Sequence, residues 1–225
     1  MLAVGVDACK GGWVAVALDE AGRTEAAHAA TLDALGGALP GADGFAVDIP
    51  IGLPHTGVRQ ADVLAKHVLG PRQASLFITP VRPALLEPTH AAATAVAHAL
   101  TGKGISQQAF ALGPKILEAE AWTARVAAPV WEVHPEVSFT LLLGHPARAP
   151  KRTWTGMRER LCALEAAGLV LGDFAAAGSR VGVDDVLDAA AAAWSAARLL
   201  RGEGCSFPDP PERDPATGQA IAIWA

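Results

Sequence analysis

The sequence predicts an α/β fold in which helices flank a mixed sheet of five strands, with a helical segment inserted between the fourth and fifth strands. Short runs of apolar and β-branched residues, separated by Gly- and Pro-rich turns, are typical of buried strands, and a later stretch changes to helical spacing. Just over half of the 225 residues (51%) are hydrophobic, which is enough for a large core. We therefore expect one domain over residues 1–225.

The first 50 residues predict three strands, a helix and a fourth strand. The runs LAVGVDA and WVAVALD, joined by the turn KGG, predict a hairpin, and a shorter third strand follows. The segment TLDALGGAL predicts a short helix with Thr31 as its N-cap. The fourth strand, within GFAVDIPIGLP, should end at Asp48, because the prolines at 50 and 54 cannot donate ladder hydrogen bonds.

Residues 55–129 predict a helical insertion on the sheet domain. RQADVLAKHVLG and THAAATAVAHALTG have helical patterns, and the segment between them is expected to be irregular or briefly extended. In the third helical stretch we expect Ser106 to be the N-cap and Pro114 to kink or divide the helix.

The remainder predicts a fifth strand, two helices and an edge strand. APVWEVHPE is expected to be the strand, turning at Pro135. TWTGMRERLCALEAAGLVL and the alanine-rich DDVLDAAAAAWSAARLLRG predict the helices, the second capped by Asp184 and closed by Gly202. A tail rich in Pro and Asp ends in a small edge strand, QAIAIWA.

Four aspartates form the predicted catalytic and metal-binding set. Asp7 and Asp48 each end an apolar strand, and the i, i+3 spacing of Asp185 and Asp188 puts both on one face of the last helix. Like charges there repel unless a helix N-terminus or a cation compensates them. Carboxylates are the ligands that hard divalent cations prefer, so the set predicts Mg²⁺ or Mn²⁺. Taken singly, each aspartate is more typical of a turn or cap.

Two further candidates belong to the fifth strand. Alternation along a strand would put Glu132, His134 and Glu136 on one face. Glu132 is a candidate further ligand, and His134 a candidate proton shuttle near neutral pH. The alternative left open is that Glu132 and His134 pair with basic groups of the insertion.

Basic residues concentrate in the middle of an acidic chain. The net charge is −5, yet residues 55–160 contain 12 Lys and Arg against 7 Asp and Glu. A basic middle between acidic ends suits a phosphate-containing substrate held beside metal ions, and Arg72, Lys115 and Lys151 are candidate phosphate contacts. The alternative is that these residues are solvated surface.

The chain shows no targeting or membrane signal. No apolar run approaches the roughly 20 residues of a membrane span, and no charged leader precedes the first strand. Cys9, Cys162 and Cys205 form no CxxC pair, which indicates reduced thiols. We expect a cytoplasmic protein without membrane association. The oligomeric state is open, and a homodimer is possible.

Six segments together resemble the domain-of-unknown-function family 429: VGVDACKGGWVAVAL, VDIPIGLP, SQQAFALGPKILEAE, WEVHPEVSF, KRTWTG and DDVLDAAAAAW. That family is regarded as predicted nucleases with a ribonuclease H-like fold, and the final Asp-x-x-Asp resembles the closing helix of Holliday-junction resolvases. The resemblance implies that Asp7 is the first-strand aspartate, Asp48 the fourth-strand acid, and Asp185 and Asp188 the helix acids.

Three functional hypotheses follow. The first is a divalent-metal-dependent nuclease or phosphodiesterase acting on a nucleic acid or related phosphoester. The second is a nucleotide-binding or phosphotransfer protein of the actin-like type, with the hairpin DACKGGW around the phosphates. Asp7 is followed by Ala8 and Cys9, which departs from the Asp-x-Gly of that superfamily. The third is a non-catalytic interaction protein that keeps the fold.

Overall fold

A five-stranded mixed sheet forms the centre of the protein in the computed structural model, which describes residues 1–174, 177, 179–214 and 218–225. Its strands are β1 (Leu2–Cys9), β2 (Gly12–Asp19), β3 (Thr24–Ala29), β4 (Gly44–Val47) and β5 (Val130–Glu132), in the order β3-β2-β1-β4-β5. The pairs β1–β2 and β2–β3 are antiparallel, and β1–β4 and β4–β5 are parallel. The predicted fold class is confirmed, and this arrangement is consistent with a ribonuclease H-like fold.

Helices cover both faces of this sheet. Those with defined bounds are α1 (Leu32–Ala38), α2 (Gln60–Leu69), α3 (Arg82–Leu85), α4 (His90–Thr101), α5 (Gln107–Ala111), α6 (Gly113–Thr123), α7 (Pro135–Leu143), α8 (Trp154–Ala166) and α9 (Val183–Leu200), with a 3₁₀ helix at Gly70–Ser75. The predicted caps Thr31 and Ser106 are confirmed, since their hydroxyls accept backbone N–H bonds in the first turns of α1 and α5. Pro114 lies in the first turn of α6 and divides the helical stretch as predicted. None of the described helices is long and apolar enough to cross a membrane.

The side chains of β1 alternate between two cores. Val4 and Val6 pack with Leu32 of α1 and Ile116 of α6 on one face. Ala3 and Cys9 pack on the other face, with α7, α8 and the alanines of α9. Because residues of the 55–129 insertion belong to the first cluster, that segment shares a core with the sheet.

The fifth strand is shorter than predicted. β5 ends at Glu132, and Pro135 begins α7 instead of turning a strand. Proline is favoured in the first turn of a helix, where its missing N–H would have no helical partner. The prediction that Glu132, His134 and Glu136 share one strand face is therefore wrong.

The ends of the next two helices also differ from prediction. α8 stops at Ala166, before the predicted end at Leu171, because Gly168 takes a left-handed φ of 88°. Asp184 is not the cap of α9. The N-cap is Gly182, and Asp184 lies in the first turn.

The C-terminal tail forms a hairpin. The predicted strand is present as β7 (Ala220–Trp224), but it pairs antiparallel with β6 (Ser206–Arg213), a proline-rich strand that was not predicted. The pairing shifts register between Phe207 and Glu212, so the prolines there fall outside the regular ladder. Strand prediction failed because proline normally excludes a ladder position.

Helix α9 lies directly on β1 at Gly5. A Cβ added to Gly5 would lie 2.0 Å from both the Ala189 carbonyl oxygen and the Ala193 backbone nitrogen. Residues 189–193 are all alanines and fully buried. Small side chains on both elements therefore allow the two backbones to approach more closely than larger residues would permit.

We predict that Gly5→Ala destabilises the protein by about 3 kcal/mol, because overpacking must push α9 away from β1. Urea unfolding measures this change. Gly37→Ala is the matched control, since Gly37 lies in α1 with no atom within 4 Å of an added Cβ. That control should be neutral or stabilising by about 0.5–1 kcal/mol. Equal effects of the two substitutions would contradict the close approach.

Candidate metal centre

Asp7, Asp48 and Asp188 converge at one edge of the sheet. Each offers a carboxylate oxygen, and these three oxygens lie within 4.8 Å of one another. Asp7 is near the C-terminal end of β1, and Asp48 follows β4 directly, with its N–H bonded to the Val6 carbonyl at 2.8 Å. Because β1 and β4 are parallel, both aspartates emerge at the same edge, and α9 brings Asp188 to them from the covering layer.

Burial and neighbouring carboxylates raise the pKa values of all three aspartates. Burial raises the pKa of Asp7 well above its ordinary value, and the charges of Asp48 and Asp188 raise it further. Burial and Asp188 raise the pKa of Asp48 to about 8. Burial raises the pKa of Asp188 to about 6, against the opposing effect of Lys151. Three carboxylates this close repel one another when ionised, and a divalent cation would relieve that repulsion.

The cluster keeps oxygen atoms available for a cation. Asp188 Oδ2 accepts a short hydrogen bond from Lys151, but its buried Oδ1 has no hydrogen-bond partner among the described residues. Asp7 Oδ1 accepts the N–H of Ala8 at 2.7 Å, which orients the carboxylate. An unpartnered buried carboxylate oxygen is costly unless a ligand satisfies it.

Asp185, the fourth predicted ligand, lies one turn closer to the start of α9. It lines the same cavity, but it is not in the group of close ligand atoms found among the described residues. Its carboxylate accepts the N–H of Gly182 at 3.3 Å, an interaction that helps to cap α9. Its neighbour Asp184 forms an ion pair with Arg152 at 3.0 Å.

Glu132 is engaged by a buried arginine of the insertion. Arg59 contacts both Glu132 oxygens at 2.7 Å and Asp62 at 2.6 Å, and all three side chains are buried. The Ile51 N–H also donates to Glu132, at 2.7 Å. The observed contacts therefore match the alternative in which Glu132 pairs with a basic group of the insertion. Because both of its carboxylate oxygens accept hydrogen bonds, Glu132 is poorly suited to bind metal.

His134 and Glu136 line the same cavity from the start of α7. Burial lowers the pKa of His134 to about 4, and its Nδ1 has no hydrogen-bond partner within the described part of the chain. His134 is therefore neutral at pH 7, which suits a hydrogen-bond acceptor better than an acid. Glu136 is buried, accepts a 2.5 Å hydrogen bond from Arg160 and lies 3.9 Å from Arg72.

The predicted phosphate contacts divide into two groups. Lys151 and Arg72 line the cavity. Burial lowers the pKa of Lys151, but the adjacent Asp188 carboxylate more than offsets this and holds the pKa above its ordinary value. The structure does not bring Lys115 into the cavity lining; its ammonium donates to the carbonyls of Cys9 and Gly12 and lies 4.7 Å from the centre of the Trp13 ring.

The cavity around the carboxylates has a volume of about 520 Å³. The sheet edge and α9 contribute the acids, and the insertion contributes the opposite wall, including Arg72, Phe77 and Leu112. A volume in this range accommodates a ligand of small-molecule or single-nucleotide size.

Two residues that support the site, Asp62 and Arg160, are not among those predicted from the sequence. Asp62 holds Arg59 and accepts the Thr79 N–H at 2.8 Å, and Arg160 holds Glu136. Asp62 follows Arg59 at i+3, a spacing that could have indicated the pair. Arg160 gave no local signal, because its partner lies 24 residues earlier on another helix.

Comparison with known families matches residues 5–213 to the family described as "Protein of unknown function (DUF429)". The chain belongs to this family. The match covers β1 from Gly5 onwards, the other four strands of the sheet and all three clustered aspartates, so the candidate metal centre lies within the part shared with DUF429. No curated protein and no solved structure matches the chain.

We predict that Asp48→Asn stabilises the metal-free protein increasingly as the pH rises. The pKa of Asp48 is about 8 in the folded protein and near 4 when unfolded, so folding favours the protonated form. The stability that this preference contributes to the wild type is complete below about pH 4 and is lost as the pH rises towards 8. Asparagine does not ionise. The difference in unfolding free energy should therefore grow by up to about 1.4 kcal/mol for each pH unit.

Urea unfolding in EDTA at pH 5 and pH 8 measures this difference. Asp33→Asn is the control, because Asp33 is exposed and pairs with Arg125 on the surface. Its effect should stay below about 1 kcal/mol at both pH values. Equal stability of the wild type and Asp48→Asn at pH 8 would mean that the clustered carboxylates do not repel.

Proposed function

We propose that this protein is a divalent-metal-dependent phosphodiesterase, acting as a nuclease on a nucleic acid or on a related phosphodiester. The observation that carries the proposal is the convergence of three carboxylates, one with an unpartnered buried oxygen, in a cavity that also contains cationic side chains. Carboxylates favour Mg²⁺ or Mn²⁺, and neighbouring cations suit a phosphate group.

In this proposal Asp7, Asp48 and Asp188 hold the metal, and Asp185 lies beside them. A bound divalent cation supplies Lewis acidity and lowers the pKa of water for attack on phosphorus. Arg72 and Lys151 contribute positive charge from the cavity wall, where a phosphate oxygen can accept hydrogen bonds. Neutral His134, through Nδ1, can accept a hydrogen bond from water or substrate.

Glu132 has a positioning role in this scheme. Its carboxylate and that of Asp62 hold Arg59, and Arg59 also donates to the Ile51 carbonyl at 3.1 Å. These bonds tie the chain after Asp48 to the start of the insertion. The network therefore supports the position of Asp48 without contributing a metal ligand.

The phosphotransfer alternative receives no support from the β1–β2 hairpin. Phosphate cradles present backbone N–H groups to the ligand. Here Lys115 contacts the hairpin through two carbonyl oxygens, those of Cys9 and Gly12. Titration with ATP would test this alternative, because an actin-like protein should show a rise in melting temperature with ATP, whereas a nuclease should respond to metal alone.

We predict that Mn²⁺ raises the melting temperature of the wild type and supports hydrolysis of a phosphodiester, such as an oligonucleotide or bis(p-nitrophenyl) phosphate. Asp7→Asn and Asp188→Asn should each lose the thermal shift and reduce hydrolysis by about 100-fold or more, because each removes a direct ligand. Asp33→Asn is the matched control and should retain both. Hydrolysis that persists in EDTA, or in an Asp7→Asn, Asp188→Asn double variant, would contradict the proposal.

We predict that Lys151→Met lowers the melting temperature of the metal-free protein but enlarges the rise in melting temperature that Mn²⁺ causes. Without metal, Lys151 provides the counter-charge to Asp188. Its removal should lower the melting temperature in EDTA, and should enlarge the stabilisation by Mn²⁺ because the cation then relieves more repulsion. Hydrolysis should fall if Lys151 also contacts phosphate. A smaller Mn²⁺ shift in the variant would show that Lys151 assists metal binding instead of substituting for it.

A further inference from the structure

Trp154 is unusually exposed. Its side chain is 73% exposed, whereas the other five of the six tryptophans are buried or half-buried. A large exposed aromatic ring has no packing role, and its hydration is unfavourable compared with burial. The exposed ring leaves an aromatic face open for a ligand to stack on.

The position of Trp154 connects it to the candidate metal centre. It is the first residue of α8, whose N-cap is Thr153, and it follows Lys151 and Arg152 by only a few residues. Both of those residues line the cavity that contains Asp7 and Asp188. Consecutive Cα atoms are 3.8 Å apart, so Trp154 lies within about 8 Å of Arg152, measured between Cα atoms. The exposed ring is therefore close to the cavity entrance.

Three arginines lie within six residues of this tryptophan in the sequence. Arg158 is exposed and lies at i+4 from Trp154, which places both on the same face of α8. Arg148 is also exposed, and neither Arg148 nor Arg158 forms a salt bridge within the described residues. Arg152 is 85% exposed and pairs with Asp184. We call Arg148, Arg152, Trp154 and Arg158 the basic–aromatic surface.

Two acids lie beside the three arginines of this surface. Glu159 accepts the backbone N–H of Arg148 at 2.9 Å and that of Ala149. Asp184 pairs with Arg152. The surface thus combines an exposed aromatic face with two arginines, Arg148 and Arg158, that form no salt bridge with any described residue, in a protein whose net charge is −5. Its charge complements a polyanion, and its aromatic face complements an unpaired base.

We propose that the basic–aromatic surface binds single-stranded nucleic acid, with one base stacked on Trp154 and phosphates beside Arg148 and Arg158. This inference rests on the proposed function, because the adjoining nucleotide would then enter the cavity. A duplex fits less well, since its bases are already stacked internally and cannot cover the ring. A cavity of about 520 Å³ also admits one nucleotide but not a double helix.

The test is fluorescence anisotropy of the full chain in EDTA, with labelled oligothymidylate and oligouridylate of eight residues and with the matching duplexes. Trp154→Ala should weaken single-strand binding by about ten-fold or more, and Trp154→Phe should restore it to within about three-fold, because phenylalanine keeps a stacking face. Arg158→Gln should weaken binding and reduce the dependence of log affinity on log salt by roughly one.

Two controls separate this surface from general effects. Leu86→Ala removes another exposed apolar side chain, 66% exposed, on the insertion. Arg201→Gln removes an exposed arginine after the C-terminal end of α9. Neither should change single-strand affinity by more than about two-fold.

Metal-free binding distinguishes this inference from the proposed function. Single-strand binding that depends on Trp154, in a protein without metal-dependent hydrolysis, would support the surface and overturn the phosphodiesterase. Metal-dependent hydrolysis of a small phosphodiester, without Trp154-dependent binding of any single strand, would overturn the surface alone. Duplex binding as tight as single-strand binding would also overturn it, as would absence of binding to every oligonucleotide.

Discussion

The close packing of α9 on β1 is the constraint on which the site depends. Gly5 and the buried alanines of α9 let the two backbones approach to the distance of direct contact. Residues 3, 5, 7 and 9 of β1 share the face towards α9, so the same packing that brings Ala189 onto Gly5 brings Asp188 next to Asp7. Larger residues at this interface would separate the helix and strand carboxylates. The alanine content of α9 is therefore a geometric requirement of the candidate metal centre.

Buried ion pairs line the walls of the cavity. Arg59 pairs with Glu132 and Asp62, and Arg160 pairs with Glu136 and lies over the Phe139 ring. Such pairs cost desolvation, but they hold the cavity walls in one arrangement. The buried Oε2 of Glu136 has no hydrogen-bond partner among the described residues. At the candidate metal centre, Lys151 offers one positive charge to three carboxyl groups, and burial raises the pKa of each of them. A divalent cation would compensate the three carboxylates when they ionise, and this is the physical basis for expecting one there.

The 55–129 insertion packs with the sheet and also forms part of the cavity wall. Its helices share the first core with the sheet, Arg59 reaches back to the fifth strand, and Phe77 forms part of the cavity wall. The opposite rim comes from the segment before α8, where Lys151 and Arg152 connect the cavity to Trp154. The cavity is thus bounded by the insertion, which contributes Arg72 and Phe77, and by the segment before α8, which contributes Lys151 and Arg152.

Local sequence determined strands β1 to β4, the helix caps Thr31 and Ser106 and the candidate acids, because hydrophobic periodicity, Thr and Ser caps and strand-ending aspartates are encoded by neighbouring residues. The family resemblance added the order of the acids along the chain. Tertiary structure alone decided which of them meet: Asp188 joins Asp7 and Asp48, whereas Asp185 contributes to the cap of α9 and Glu132 is held by Arg59. It also decided that Pro135 starts a helix and that the proline-rich tail becomes a strand. Partners such as Arg160 and Glu136 lie far apart in sequence, and only the packing of α7 against α8 brings their charges together.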